Sequence, residues 1–370
     1  MNLPPFKLER YFAKYEFKVN YLLSPSDCEG LEMASLLQMA DPESRRLWDN
    51  LKLDYTESAG HPLLRSEIAS LYPGLTPENI LVTAPEEGIY IFMRTLLKPG
   101  DHVIAMTPAY QSLYEIARST GCQVSPWMVH PTDHGWQLDL NQLEDLITSR
   151  TSLLVINFPH NPTGCLVSSA DQEQIVAFAR QHGLILFSDE MYRFLEYDPL
   201  LRLPSACSEY EKAVTLSGLS KSFALPGLRL GWLATQDKSI LDQCQSFKDY
   251  TTICASAPSE ILGIMALRAR ETILARNLEI ILSNLHHAEA FFRQYPDLFS
   301  WIEPHAGSVA FPQWKDRAPV EVFCEDVLNQ QGVMIVPGSL FDYPGNHFRI
   351  GLGRKNFPEA LERVGFYLDR

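Results

Sequence analysis

The sequence predicts an α/β protein: a large domain with a mainly parallel, seven-stranded sheet flanked by helices, plus a smaller α+β domain. Three observations carry this expectation. Between residues 80 and 236, short β-rich runs alternate with helical patterns, the arrangement of a layered α/β domain. Several of those runs are apolar on both faces, as strands covered by helices on each side are. After about residue 255 the pattern changes to long helices followed by short strands.

Taken in chain order, the expected strands are 80–83 (ILVT), 102–107 (HVIAMT), 123–129 (QVSPWMV), 151–157 (TSLLVIN), 184–189 (LILFSD), 213–218 (AVTLSG) and 228–235 (LRLGWLAT). Between them, EEGIYIFMRTLLKPG and DQEQIVAFARQHG read as amphipathic helices, the second closed by a glycine at its C-cap. Beyond residue 255, SEILGIMALRARETILARNLEIILSNLHHAEAFFRQYP has apolar residues three and four apart and predicts one or two long helices. SVAFPQW, GVMIVPG and HFRIGLG then read as short strands, and PEALERVGFYLDR as a closing helix. The first fifty residues lack strong periodicity, and LLSPSDCEGLEM reads as an irregular segment crossing a cleft. These readings divide the chain into an N-terminal segment (1–45) associated with the small domain, a large domain (46–255) and a small C-terminal domain (256–370).

Composition narrows the function classes. With 46% hydrophobic and 21% charged residues the chain is globular. A formal charge of −14 argues against nucleic acid or an anionic membrane as the main partner, because phosphate binding needs a basic face. No apolar run approaches a membrane span, and the start lacks a basic segment followed by an apolar block, so a cytoplasmic location is expected. The seven cysteines are scattered and form no CxxC pair, which predicts free thiols and no zinc site. His286 and His287, adjacent on a helix, point to different faces and read as solvated.

Three strand ends then attract attention. In NFPHNPTG (157–164), Asn161 stands where a strand opens into a turn; it reads either as an ordinary Asn-Pro turn or as an amide donor to an oxygen anion. In FSDEMY (187–192), Asp189 closes an apolar strand, either as a helix N-cap or as the partner of a cationic ring nitrogen. Tyr192, three residues on, brings a hydroxyl to the same place. In SGLSKSFALPGLRLGW (217–232), Lys221 lies among small and apolar residues, with Ser220 beside it and Arg229 eight residues later. A lysine there is either a surface residue or an amine nucleophile of depressed pKa beside a guanidinium suited to phosphate.

Together, NFPHNPTG, SDEMY, SGLSKSF and GLRLGW resemble, in order, the signature series of the class I/II aminotransferases among the fold-type I pyridoxal phosphate enzymes. The resemblance extends over most of the chain. YTESAGHPLLRSEIA (55–69) is similar to the family segment whose tyrosine, here Tyr55, reaches the cofactor phosphate of a partner subunit. In VTAPEEGIYIFMRTLLKPGDHVIAMTPAYQSLY, the resemblance makes Ala84, Pro85 and Glu86 the phosphate-binding turn at a helix N-terminus and Tyr110 the ring stacked on the cofactor. HFRIGLG places Arg349 as the residue that grips the substrate α-carboxylate.

The resemblance implies pyridoxal 5'-phosphate held by Lys221 as a Schiff base, with Asp189 on the pyridine nitrogen, Asn161 and Tyr192 on the ring oxygen, and Ser220 and Arg229 on the phosphate. Asn161 also joins Arg349 in binding substrate. It further implies transfer of an amino group from an L-amino acid to a 2-oxo acid, and a homodimer with active sites at the subunit interface. Two departures stand out. Pro85 has no N–H to give to phosphate, and SPSDCEG replaces the Gly-Pro element that covers the substrate in the family. Asp27 and Glu29 in that replacement are expected to be solvated loop acids, the alternative being that they select a cationic substrate. Pyridoxal phosphate lyases of the aminocyclopropane-carboxylate synthase-like and C–S lyase-like kinds share these motifs and remain the alternative activity. A non-catalytic cofactor-sensing module is a further alternative, although it is expected to carry an appended DNA-binding segment for which this acidic chain leaves no room, and a nucleotide-binding oxidoreductase ranks last because GxGxxG does not follow a strand.

Overall fold

A computed structural model describes residues 3–369. Its central sheet has eight strands in the spatial order Ile80–Thr83, Gly231–Ala234, Ala213–Gly218, Ile185–Asp189, Thr151–Asn157, His102–Thr107, Gln123–Thr132 and Gly135–Leu138. The five strands from Ala213–Gly218 to Gln123–Thr132 are mutually parallel, while Gly231–Ala234 runs antiparallel to both its neighbours. The eighth strand corrects the expected seven. Gly135–Leu138 folds back on Gln123–Thr132 as an antiparallel hairpin, and its four residues are too few to show an alternation of their own.

Alternation along the strands explains the layering, because successive side chains point to opposite faces. Val103, Ala105, Leu153, Val155 and Phe187 enter one buried cluster, and Ile104, Met106, Leu154, Ile156 and Leu186 enter another. Both faces are therefore apolar and covered by helices, which include Pro85–Leu96 and Ser169–Gln181. A third cluster holds Ile80, Val82, Trp232 and Ala234 against the helix Ala257–Arg268. The second long helix, Arg270–Gln294, follows immediately. His286 and His287 lie exposed on it, as expected.

The N-terminal fifty residues are more regular than the sequence suggested. They form helices at Lys7–Tyr15, Met33–Gln38 and Pro42–Asp49. Tyr21–Leu22 pairs in parallel with Val333–Met334. The segment that follows runs along the strand Phe348–Gly351: Gly351 N–H donates to the Leu23 carbonyl at 2.7 Å and Glu29 N–H to the Gly353 carbonyl at 2.7 Å. A Cβ at Gly351 would overlap the Pro25 carbonyl, so glycine is what lets the two backbones approach. The described cysteines are all free, and no described helix is long and apolar enough to cross a membrane.

Candidate active site

Neighbouring parallel strands end together at one edge of the sheet. Asn157 and Asp189 are register partners at the ends of two of them, and the next strand ends at Gly218, after which the chain turns through Ser220 to Lys221. This is where open α/β sheets bind ligands. Close approach is built in: a Cβ on Gly231, which pairs with Gly218, would stand 2.8 Å from the Pro85 ring at the start of the helix Pro85–Leu96.

Lys221 Nζ donates a hydrogen bond to Ser26 Oγ at 2.8 Å. Burial lowers the amine's pKa; Asp27 and Glu9 oppose that effect, while Arg349 and Arg229 add to it. Asp189 is 7% exposed, and its carboxylate accepts one hydrogen bond, from Met191 N–H at 3.1 Å. It is the end of a strand, not a helix cap. Burial pushes its carboxyl up to about 7, with Met191 N–H and Lys221 pulling the other way. Tyr192 is 2% exposed, and its hydroxyl has no hydrogen-bond partner of ordinary geometry among the described residues. Burial raises its pKa, against the pull of Arg349 and Ser26.

Arg349, from the strand Phe348–Gly351, is 1% exposed. Its guanidinium donates to Asn161 Oδ1 at 3.2 Å and to the Ser24 carbonyl at 3.0 Å, while Nε has no partner. No carboxylate pairs with it among the described residues. A buried cation so placed is costly to leave alone and suits an incoming anion. Its charge is felt at Lys221 and Tyr192.

At the other side, Ala84 caps the helix Pro85–Leu96 and leaves the first-turn N–H groups of Glu86 and Glu87 outside the helical hydrogen-bond ladder. The Glu86 carboxyl accepts from Ser112 Oγ at 3.1 Å, and burial pushes it up to about 7. Arg229 stands at φ 51°, the left-handed region that costs a non-glycine residue roughly 1–2 kcal/mol. Its guanidinium donates to Ser220 Oγ at 3.4 Å and the Pro226 carbonyl at 3.0 Å. The Tyr110 ring packs on Phe6 at 4.8 Å, and its hydroxyl donates to Glu9 at 2.7 Å. Tyr55 stands apart at 86% exposure.

Contacts and charge thus draw Lys221, Asp189, Tyr192, Asn161 and Arg349 together, and Ser220 and Arg229 into a second group beside them. Sequence reading missed Ser26, Glu9 and Phe12, the last with its ring 5.9 Å from the Arg349 guanidinium. It also left Asp27 and Glu29 as solvated acids, which the structure corrects for Asp27, while Glu29 stays partly exposed. Asp27 forms an ion pair with Arg354 at 2.8 Å, and Glu29 accepts the Lys355 N–H at 3.2 Å. Both are held against residues that follow the strand Phe348–Gly351, and Asp27 already has its counter-charge. The signal for Phe12 was present: Leu8, Tyr11, Phe12 and Tyr15 repeat at helical spacing.

The site suits pyridoxal phosphate on its own chemistry. A buried carboxylate with one hydrogen bond fits a protonated ring nitrogen, an unpartnered hydroxyl fits the ring oxygen, and a helix N-terminus beside Ser220 and Arg229 fits phosphate. Comparison with known proteins agrees. The family model for aminotransferase class I and II matches residues 39–364. Capreomycidine synthase of Streptomyces vinaceus is 28% identical over 355 residues, 94% of this chain and 89% of that protein. Among solved structures, a PLP-dependent aminotransferase from Streptococcus suis superposes with a TM-score of 0.93 at 31% identity, over 100% of this chain and 99% of that one. The PLP-dependent cyclase OrfR superposes with a TM-score of 0.92 at 26% identity, over 100% and 98%. The chain is a member of the class I and II aminotransferase family, a pyridoxal phosphate-dependent enzyme.

Proposed function

We propose that this enzyme moves an amino group from an L-amino acid to a 2-oxo acid, with Lys221 as the base. The observation that carries the reading is the meeting of an amine of lowered pKa, Lys221, with the buried Arg349–Asn161 pair and the buried Asp189 carboxylate. When bound, pyridoxal phosphate supplies an aldehyde for the amino group and a ring that accepts the electron pair of the broken Cα bond. Lys221, its pKa lowered by burial, takes the proton from Cα and gives it up later in the same half-reaction. Arg349 and Asn161 hold the α-carboxylate, and its unpartnered Nε gives Arg349 a further donor for a bidentate grip. That grip fixes which Cα bond is presented for cleavage. Asp189 keeps a proton on the ring nitrogen, and the Tyr192 hydroxyl serves the ring oxygen. Ser220, Arg229 and the N–H groups of Glu86 and Glu87 hold phosphate, with Pro85 giving none.

The same reading includes the division at residues 45 and 255, with segment 1–45 moving with the C-terminal part. The pairing of Tyr21–Leu22 with Val333–Met334 and the bond from Arg349 to Ser24 support it. It also includes a homodimer in which Tyr55 serves the neighbour's phosphate. Leu53, Tyr55 and Tyr250, each at least 84% exposed, are apolar surface that a second copy would cover.

A second reading, ring closure or elimination on the same cofactor, is favoured by the match to a synthase and a cyclase over nearly the whole chain. Single-turnover product analysis separates the two. Transamination would release a 2-oxo acid without free ammonia, whereas an eliminating lyase would release ammonia with its product and a cyclase would release a product that keeps its amino group. Absence of 2-oxo acid with every amino acid class tried would overturn the first reading.

A further inference from the structure

We infer that the substrate is an α-amino acid carrying a positive charge on its side chain, a guanidinium or an ammonium, and that Glu9 on the N-terminal helix selects it. This inference rests on the amino-acid reading above and specifies its substrate class.

The helix Lys7–Tyr15 and its C-cap Glu16 set Glu9, Phe12 and Glu16 along one stripe, three and four residues apart. That stripe faces the site. The Arg349 guanidinium lies over the Phe12 ring at 5.9 Å, Glu9 acts on both Lys221 and Arg349, and Glu16 feels Lys221. The helix is tied down by Tyr11 Oη, which donates to the Ile335 carbonyl at 2.9 Å. Glu9 accepts the Tyr110 hydroxyl at 2.7 Å and forms no ion pair among the described residues. Asp27, the other carboxylate felt at Lys221 and Arg349, is already paired with Arg354.

The charges decide between substrate classes. Two cations act on Lys221, and both have other work: Arg349, with its unpartnered Nε, takes the α-carboxylate, and Arg229 sits with Ser220 at the phosphate group. A side-chain carboxylate would therefore meet Glu9 with no free cation to offset the repulsion. An apolar side chain would cover Glu9 and strip its water without replacing it, which leaves a carboxylate desolvated and unpaired. A cationic side chain pairs with Glu9, and its flat or methylene part has the Phe12 ring to lie against.

The test uses the cofactor-loaded enzyme at low ionic strength, mixed rapidly with L-arginine, L-lysine, L-leucine or L-aspartate while the cofactor absorbance is followed. The ratio of rate to dissociation constant is expected to be at least about 10-fold higher for one of the basic amino acids than for leucine or aspartate. Glu9→Gln keeps an acceptor for Tyr110 and removes only the charge. It should cut the basic-to-neutral ratio by about 10- to 100-fold, while the spectrum before mixing reports that the site is still formed. Added salt should narrow the wild-type ratio and leave the Glu9→Gln ratio nearly unmoved. Leucine or aspartate reacting as well as the basic amino acids, or a Glu9→Gln ratio equal to wild type, overturns this inference and leaves the amino-acid reading standing. No spectral response to any of the four overturns the amino-acid reading and this inference with it.

Discussion

Asp189→Asn isolates the electrostatic cost of holding a carboxylate ready for a cation. In the cofactor-free protein, burial raises the Asp189 carboxyl from 3.8 to about 7. Its folded pKa lies above its unfolded one, so between about pH 4 and 7 the folded state keeps a proton that the unfolded chain releases. Stability from this group is accordingly full below the unfolded pKa, falls as pH rises through that window and is level above about 7. Three pH units at 1.36 kcal/mol each amount to about 4 kcal/mol, of which about 3 kcal/mol falls between pH 5 and 7. Asparagine keeps an acceptor for Met191 N–H and has no charge to lose. Urea unfolding of cofactor-free wild type and Asp189→Asn at pH 5 and pH 8 should show the variant gaining on wild type by about 3 kcal/mol between the two. The Glu86 carboxyl, also pushed up to about 7, drifts the same way in both proteins and largely cancels in the difference. Loading with pyridoxal phosphate should reverse the order, because only aspartate pairs with a ring cation. A variant-minus-wild-type difference that is equal at the two pH values would refute the reasoning.

Other expectations follow from the same geometry. Arg349→Lys keeps a cation but loses the fork that meets Asn161 and a carboxylate together, and should lower kcat/KM by about 100-fold while leaving cofactor binding close to wild type. Ser26→Ala removes the hydroxyl that Lys221 donates to; kcat should fall by about 2- to 10-fold with little change in KM, and the basic limb of the kcat profile should shift. A parallel loss in KM with an unmoved profile would mean that Ser26 only packs. Tyr55→Phe should weaken cofactor retention by about 10-fold, measured by dialysis, and only under conditions where sedimentation reports a dimer.

How much of this was legible in the sequence depended on the range of the contacts. The strands Thr151–Asn157, Ile185–Asp189 and Ala213–Gly218 announced themselves as apolar runs ending in turns; Asp189 closes the second, and Asn161 and Lys221 follow the others within a few residues. Local pattern therefore marked the large sheet and the chemistry on its edge. The partners of those residues come from far away in the chain. Ser26 is 195 residues from Lys221 and Asp27 is 327 residues from Arg354, and no periodicity records contacts at such distances. Phe12 belonged to an apolar stripe in KLERYFAKY, but a nine-residue helix gives only two turns of signal, and charged residues occupy its remaining positions. The hairpin strand Gly135–Leu138 was shorter still.

The most direct test of the central claim, that Lys221 carries pyridoxal phosphate in a site built for amino-group transfer, is the visible absorbance of the purified, cofactor-loaded protein during titration with an amino acid. Wild type should show the yellow band of a lysine-bound cofactor, lose it on addition of a reactive amino acid with release of one equivalent of 2-oxo acid, and regain it on addition of a 2-oxo acid. Lys221→Ala should show no lysine-bound band. A band that persists in Lys221→Ala, or a wild type that takes up no cofactor, would contradict the assignment.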